Sequence, residues 1–382
     1  MTTPHESTYW QEMRRLFPIF AHKRYFASCS QGALCPRVEE AMGRFMTSWR
    51  EEGVPWNTHW FARIGGAQAA FARLINAPAA AIGLTATVSS GVSAILSAID
   101  FRERRKVVVS ELEFPTVLDI LLAYRQRGLI DLVVLPGAEG DVPLERYAEA
   151  IDERTALVCV STVSYSSGAR LPVAGVVELA HRAGALVLVD AFQGAGVVPI
   201  DVERLGCDFL VTGAHKYLLG TYGLCFVYAN PAVAARLEPT ATGWMSQEQP
   251  FAVDLDRLHY APGGGRFQGG TFTVPACYAG EAAINLLLEI GPERIHQRVM
   301  GLTRLMAGGL AELGIRPVGP VDDGRRGPFV AVPTDRPEAL EAALAAEGLI
   351  TAPRGQAIRF AFHFYNDESD VAAALEAIRR HR

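Results

Sequence analysis

The 382-residue sequence predicts an α/β protein with a large domain on a mostly parallel sheet and a small C-terminal α+β domain. Two observations carry this. From about Gly83 to Tyr228 short apolar runs alternate with amphipathic stretches, the pattern of strand, crossover helix and strand. From Ile315 onward the pattern changes to strand, helix, strand and helix, which makes a separate small unit.

In chain order, residues 1–60 are aromatic-rich and are expected to pack against that C-terminal unit. Strands are expected at 81–85, 106–110, 131–135, 156–161, 185–190, 208–212 and 223–228. Between them Pro115 and Pro172 suit first helical turns, and Gly128 and Gly184 suit helix ends. Pro231 to Gly270 has weak periodicity and ends in PGGGRFQGG, so it reads as irregular chain over the sheet edge. Helical pattern returns from Ala276 to about Gly314. The remainder reads as a strand from Ile315, a helix at 337–347, a strand at 357–361, and a helix from Asp367 capped by Asn366. The expected division is 1–60, 61–290 for the large domain, and 291–382 for the small one.

The formal charge of −5 and the scattered Lys and Arg residues leave no basic stripe for a phosphodiester backbone, which argues against nucleic acid as a partner. The start, MTTPHESTYWQEMRR, has no apolar signal core, and no apolar run reaches the roughly 18–20 residues of a membrane span. A cytoplasmic protein without membrane partners is expected. The cysteines at 29, 35, 159, 207, 225 and 277 form no C-x-x-C pair, so they read as small buried hydrophobes, with no metal site.

The chemistry concentrates in ALVLVDAFQGAG and CDFLVTGAHKYLLG. Asp190 ends a buried strand and Lys216 follows the next one, both at the edge where parallel sheets bind ligands. A carboxylate there can keep a pyridine nitrogen protonated, and a lysine can form a Schiff base with an aldehyde, the two needs of pyridoxal 5'-phosphate. Alone, Lys216 would be a solvated charge, but Tyr217, Leu218 and Leu219 supply an apolar setting that disfavours the ammonium form. Asp190 could instead cap a turn, and Gln193 is either a donor to the cofactor's phenolate oxygen or an ordinary loop amide.

Ser89 and Ser90 in TATVSSGVSAI stand before an apolar helix, as phosphate ligands or as a plain serine N-cap. Thr212, His215 and Thr271 are further phosphate candidates. Phe114 in E-F-P-T is either a ring stacked on the pyridine or a core aromatic. Arg359, in the apolar strand A-I-R-F-A-F, fits a bidentate clamp for an α-carboxylate.

Taken together, V-D-A-F-Q, T-G-A-H-K, G-W-M with R-F-Q-G-G-T, and I-R-F-A-F-H-F-Y-N-D-E resemble the class V aminotransferase family of fold-type I pyridoxal phosphate enzymes. That family includes cysteine desulfurases, selenocysteine lyases, kynureninases and an isopenicillin N epimerase-like branch. The resemblance implies Lys216 as the Schiff-base lysine, Asp190 as pyridinium partner, Phe114 as stacking ring and Arg359 as carboxylate clamp. It also implies a homodimer with the site at the subunit interface, where Thr271 and Trp244 reach the neighbouring cofactor. Phe114-Pro115-Thr116 and Gly243-Trp244 look closer to kynureninases and their relatives than to desulfurases. Tyr165 stands where many members carry asparagine near the phenolate oxygen. Desulfurases carry a nucleophilic cysteine shortly before the C-terminal arginine, whereas this segment reads T-A-P-R-G-Q-A, which disfavours a persulfide mechanism.

The expected function is PLP-dependent chemistry on a small α-amino acid through a Lys216 Schiff base and a quinonoid, by transamination or Cβ-bond lyase chemistry. His59, Asn57, Ser30 and Gln31 are candidates for the substrate side. Within the family, desulfurase, selenocysteine lyase or epimerase activity is the alternative. An inactive cofactor-binding sensor or scaffold is the non-enzyme alternative, which retention of Lys216, Asp190 and Arg359 argues against. A nicotinamide fingerprint at Gly194 and Gly196 fails because Pro199 takes the third glycine position.

Overall fold

The structure is a computed structural model that describes residues 4–252 and 254–382. Its strands, in chain order, are β1 (Arg24–Tyr25), β2 (Ile82–Thr85), β3 (Lys106–Ser110), β4 (Asp131–Leu135), β5 (Thr155–Ser161), β6 (Leu186–Asp190), β7 (Phe209–Gly213), β8 (Cys225–Ala229), β9 (Phe329–Pro333), β10 (Leu349–Ile350), β11 (Ala352–Arg354) and β12 (Ala357–Ala361).

Strands β2 to β8 form one seven-stranded sheet in the order β2-β8-β7-β6-β5-β3-β4. The β3, β4, β5, β6 and β7 pairings are parallel, while β8 runs antiparallel to both β7 and β2. A parallel return requires a crossover of a dozen or more residues, usually a helix. The link 214–224 from β7 to β8 is a compact loop, so β8 comes back antiparallel and the loop stays at the sheet edge.

The apolar alternation splits cleanly between two faces. Val108, Val158, Val160, Val187, Val189 and Leu210 join one core. Val107, Val109, Leu157, Cys159, Leu188 and Val211 join the other. Helices cover both faces, as a parallel sheet requires, and each buried Val or Leu contributes about 1.5–3 kcal/mol. Pro115 opens the helix Pro115–Gln126, and Gly128 and Gly184 adopt φ of 70° and 72° just past helix ends. The helical stretch after Ala276 is two helices, Val274–Ile290 and Pro292–Glu312, broken at Gly291 with φ 97°.

In the C-terminal unit β11, β12 and β9 form an antiparallel sheet. The stretch after Ile315 makes only a bridge, Val318 to Ala331, and the strand itself is Phe329–Pro333. The last helix, Glu368–His381, is capped by Asp367 rather than the expected Asn366: the Asp367 carboxylate accepts from the Asp370 N–H in a capping box. Asn366 is held elsewhere, donating to the Tyr25 carbonyl at 2.9 Å.

That bond is one of several joining the two ends of the chain. β1 pairs in parallel with β10, Ala27 bridges to Ala361, and Arg14 forms a charge-assisted pair with Asp370 at 2.6 Å. The Ser28 and Tyr365 hydroxyls meet at 2.7 Å. Among the described residues no helix is long and apolar enough to cross a membrane, no group of three or more His, Cys, Asp or Glu could hold a metal, and all six cysteines are buried and unpaired.

Candidate active site

The carboxyl ends of β3, β5, β6 and β7 meet at one edge of the sheet, and the polar residues of the site hang from them. Asp190 is the last residue of β6 and is buried. It accepts one hydrogen bond, from the Phe192 N–H at 2.8 Å. Burial raises its carboxyl above the usual range, against the pull of that amide and of Lys216. A buried carboxylate with so few donors has capacity for a protonated partner.

Lys216 sits in the loop after β7 and is only 8% exposed. Burial pushes its ammonium down to about 8, opposed by Asp190 and assisted by the charges of Arg359 and Arg354. The amine lies 4.0 Å from the Phe192 ring centroid and 5.4 Å from that of Phe114. Two aromatic rings therefore flank the amine, Phe192 as well as the Phe114 expected from the sequence. Phe114 in turn meets the Tyr165 ring edge-on, with centroids 5.2 Å apart.

The lysine loop is set by close backbone approaches. The His215 carbonyl accepts from the Gly32 N–H at 2.8 Å, and a Cβ on Gly32 would stand 2.5 Å from the Lys216 carbonyl. Gly196, at φ 101°, packs its Cα against the Tyr217 carbonyl, again with no room for a side chain. His363, fully buried, bonds that same carbonyl through Nε2 at 3.0 Å, and burial holds its imidazole neutral, down to about 4. The contacts that give these three residues their roles are distant in the chain, so the local sequence carries no signal for them.

Gln193 donates through Nε2 to the Cys29 carbonyl at 3.1 Å, leaving its buried Oε1 without a partner. His215 packs between Phe192, at 5.0 Å, and Tyr222, at 4.2 Å; burial and the adjacent Lys216 charge push it down to about 4.

Arg359, on β12, is 1% exposed and donates only to neutral acceptors: the Ala352 carbonyl at 3.2 Å, the Tyr165 carbonyl at 2.8 Å and Ser30 Oγ at 3.2 Å. No carboxylate among the described residues lies within ion-pair distance of it, so its charge is available to a ligand. Gln31, beside Ser30, reaches the Gly220 carbonyl at 3.4 Å.

A cavity of about 560 Å³ adjoins this edge, with Ser89, Ser90, Gly223 and Thr271 on its wall. The cap of the helix Val88–Ala98 is Thr87, which accepts from the Ser90 N–H, so neither serine is the N-cap. Thr212 is different: it is buried in β7 and its hydroxyl turns to the Gly213 carbonyl at 3.4 Å, off the cavity wall. Trp244 lies on an outer loop, 5.6 Å from Phe251. His59 and Asn57 are exposed, and His59 pairs with Glu52 at 2.7 Å rather than turning to the residues around Lys216.

Glu113 is a further buried group that the sequence reading passed over. It precedes Phe114, accepts from the Ser161 N–H at 2.7 Å and from the Ser161 hydroxyl, and is pushed up to about 7 by burial, with Asp190 adding to the effect. The only signal in the sequence was a glutamate inside the turn that follows an apolar strand.

A lysine with a depressed pKa, a buried carboxylate short of donors, a buried glutamine with one N–H left beyond its bond to Cys29 and a clamp-like arginine suit the donor needs of pyridoxal phosphate. Fold and site together define a fold-type I pyridoxal phosphate enzyme. The chain belongs to the class V aminotransferase family, whose model matches residues 24–373. It is 32% identical over 368 residues to an uncharacterized aminotransferase, YcbU, of Bacillus subtilis, covering 96% of this chain and 97% of that one. It is 28% identical over 339 residues to an isopenicillin N epimerase of Streptomyces clavuligerus, covering 82% and 83%. In fold it is similar to the apo cysteine desulfurase of Thermococcus onnurineus, with a TM-score of 0.88, 22% identity, and coverage of 100% and 98%.

Proposed function

We infer that the protein transfers the amino group of a small α-amino acid, with Cβ-bond cleavage as the other reaction the same residues can support. The observation that carries this is the placement of Lys216: a buried amine with a pKa of about 8, flanked by two aromatic rings and facing the carboxylate of Asp190. Near neutral pH a useful fraction of that amine is unprotonated, so it can hold an aldehyde and later take up a proton. Pyridoxal phosphate, when bound, supplies an electron sink for the charge left at Cα when a bond there breaks.

Asp190 holds a proton at the ring nitrogen, which a buried carboxylate does better than a solvated one. Arg359 orients the substrate through its α-carboxylate, and Ser30 and Tyr165 hold the guanidinium in place. Gln193 offers the phenolate oxygen the second N–H of its Nε2, beyond the one given to the Cys29 carbonyl. Ser89 and Ser90 serve the phosphate, and Thr271 and Trp244 reach the cofactor from a second copy of the chain; this reading includes a homodimer that works in the cytoplasm. The full-length likeness to an aminotransferase favours transfer over elimination. The buried state of all six cysteines and the cysteine-free segment 351–357 disfavour a persulfide route.

The test is to follow the visible band of the bound cofactor while a panel of amino acids is added, with keto acid, ammonia and pyruvate assayed in parallel. Transfer predicts loss of the band and keto acid made only stoichiometrically until an acceptor is supplied. Catalytic ammonia with a persistent band assigns elimination instead. A Lys216→Ala protein that kept both band and turnover would overturn the reading.

A further inference from the structure

The hairpin of β11 and β12 carries two guanidinium groups on one face. Its register sets Ala352 opposite Arg359 and Ala357 opposite Arg354. Residues directly opposed across an antiparallel pair share a face, as do residues two apart on one strand. Arg354 and Arg359 are therefore diagonal neighbours, roughly 7–8 Å apart at the backbone. The connection is a two-residue turn, Gly355-Gln356, with Gly355 at φ 53°, so the spacing is built into the hairpin.

Both arginines also converge on Tyr165. Arg359 donates to its carbonyl at 2.8 Å, and the Arg354 guanidinium carbon stands 5.7 Å from its ring centroid. That ring touches Phe114, which faces the Lys216 amine. The charges of both arginines are felt at Lys216. The two differ in what holds them. Arg359 is buried and anchored by three acceptors, whereas Arg354 is exposed and has no hydrogen bond or ion pair among the described residues.

We propose that Arg354 is a specificity residue for a second anionic group, so that the site takes α-amino acids with an acidic side chain. Arg359 receives the α-carboxylate, and Arg354 receives the side-chain carboxylate a few ångströms away. A guanidinium presents a planar fork matched to a carboxylate, and here the rigid hairpin fixes where that fork begins. The turn needs only Gly355 to form, so a structural role for the Arg354 side chain is not required by the fold. This proposal rests on the functional reading of the preceding subsection.

The experiment compares aspartate and glutamate with their neutral isosteres asparagine and glutamine. Half-saturation is read from the change in the cofactor band of the holoenzyme, and the stabilisation by succinate against succinamate, which lack an amine, is read by thermal shift. The acids should half-saturate at roughly 10- to 100-fold lower concentration than the amides, the effect of one charge-assisted hydrogen-bonded pair. Arg354→Gln should bring the acid-to-amide ratio to about one, and Arg354→Lys should restore part of the preference. Arg359→Gln should weaken acids and amides alike. No preference in the native protein, or a preference that survives Arg354→Gln, overturns the proposal. A protein without any cofactor band would instead overturn the reading of Lys216, while the succinate shift still reports on the arginine pair.

Discussion

Replacing Glu113 with Gln removes one buried carboxyl group without changing its shape. In the folded protein burial holds this group up at about 7, from an ordinary value of 4.5, with the Ser161 hydrogen bonds opposing and the Asp190 charge adding. Between those two values the folded chain keeps a proton that the unfolded chain releases. Stability from this group is therefore fully present below pH 4.5 and is lost as pH rises through about 7. At roughly 1.4 kcal/mol per pH unit the loss amounts to about 3 kcal/mol. Glutamine has no proton to lose, so the variant should gain on the native protein by that amount across the window. Asp190 titrates in both proteins, and to first order its contribution cancels in the difference. The assay is the thermal midpoint of both proteins at a series of pH values with cofactor saturating. Scaled to this chain length, the difference in midpoint should change by roughly 3–6 °C from acid to neutral pH. Two curves that stay parallel would refute the reasoning, because they would mean that Glu113 titrates alike folded and unfolded.

The depressed Lys216 predicts that cofactor incorporation into apoprotein, followed by absorbance, accelerates with pH up to about 8 and then levels, since only the unprotonated amine attacks. In Asp190→Asn that midpoint should move lower, because the attraction that favours the ammonium is gone, and turnover should fall by at least about 100-fold; a midpoint that rises contradicts this. Arg359→Lys keeps the charge but loses the fork that reaches Ala352, Tyr165 and Ser30, so half-saturation for every amino acid should rise at least about tenfold, as measured by titration of the cofactor band. Gly196→Ala should destabilise by more than about 1 kcal/mol and weaken cofactor binding, because a Cβ at φ 101° meets the Tyr217 carbonyl beside the lysine; thermal melts and cofactor titration check it.

Each of the seven large-sheet strands was legible in the sequence to within about two residues, because a sheet buried on both faces demands unbroken apolar runs such as T-A-L-V-C-V-S. Lys216, Asp190 and Arg359 stood out for a related reason, since each breaks or ends an apolar run where a charge is costly. What stayed hidden was whatever depends on distant backbone. Nothing local to Gly32, Gly196 or His363 says that each touches the 215–217 backbone, and nothing local to Phe192 says that its ring lies over the Lys216 amine. His59 is ambiguous in sequence because an imidazole in a polar segment looks the same whether it faces a substrate or pairs with a carboxylate, as it does here with Glu52. The cap of the last helix was misplaced by one residue because Asn366 and Asp367 are both good caps, and the contact of Asn366 with Tyr25 decides between them.

The stitching of the two chain ends also sets an order of events during synthesis. Every strand that positions Asp190 and Lys216 has been made by Ala229, and the sheet they form pairs only with itself. The wall that carries Ser30, Gln31 and Arg359 is different: residues 24–27 find their strand and bridge partners only at 349–361, the Tyr25 carbonyl is held by Asn366, and the Ser28 hydroxyl meets Tyr365. A chain still on the ribosome can therefore assemble the edge that carries Asp190 and Lys216 well before it can complete the wall that carries Arg359. Residues 24–28 are made long before the strands and the hydroxyl that hold them.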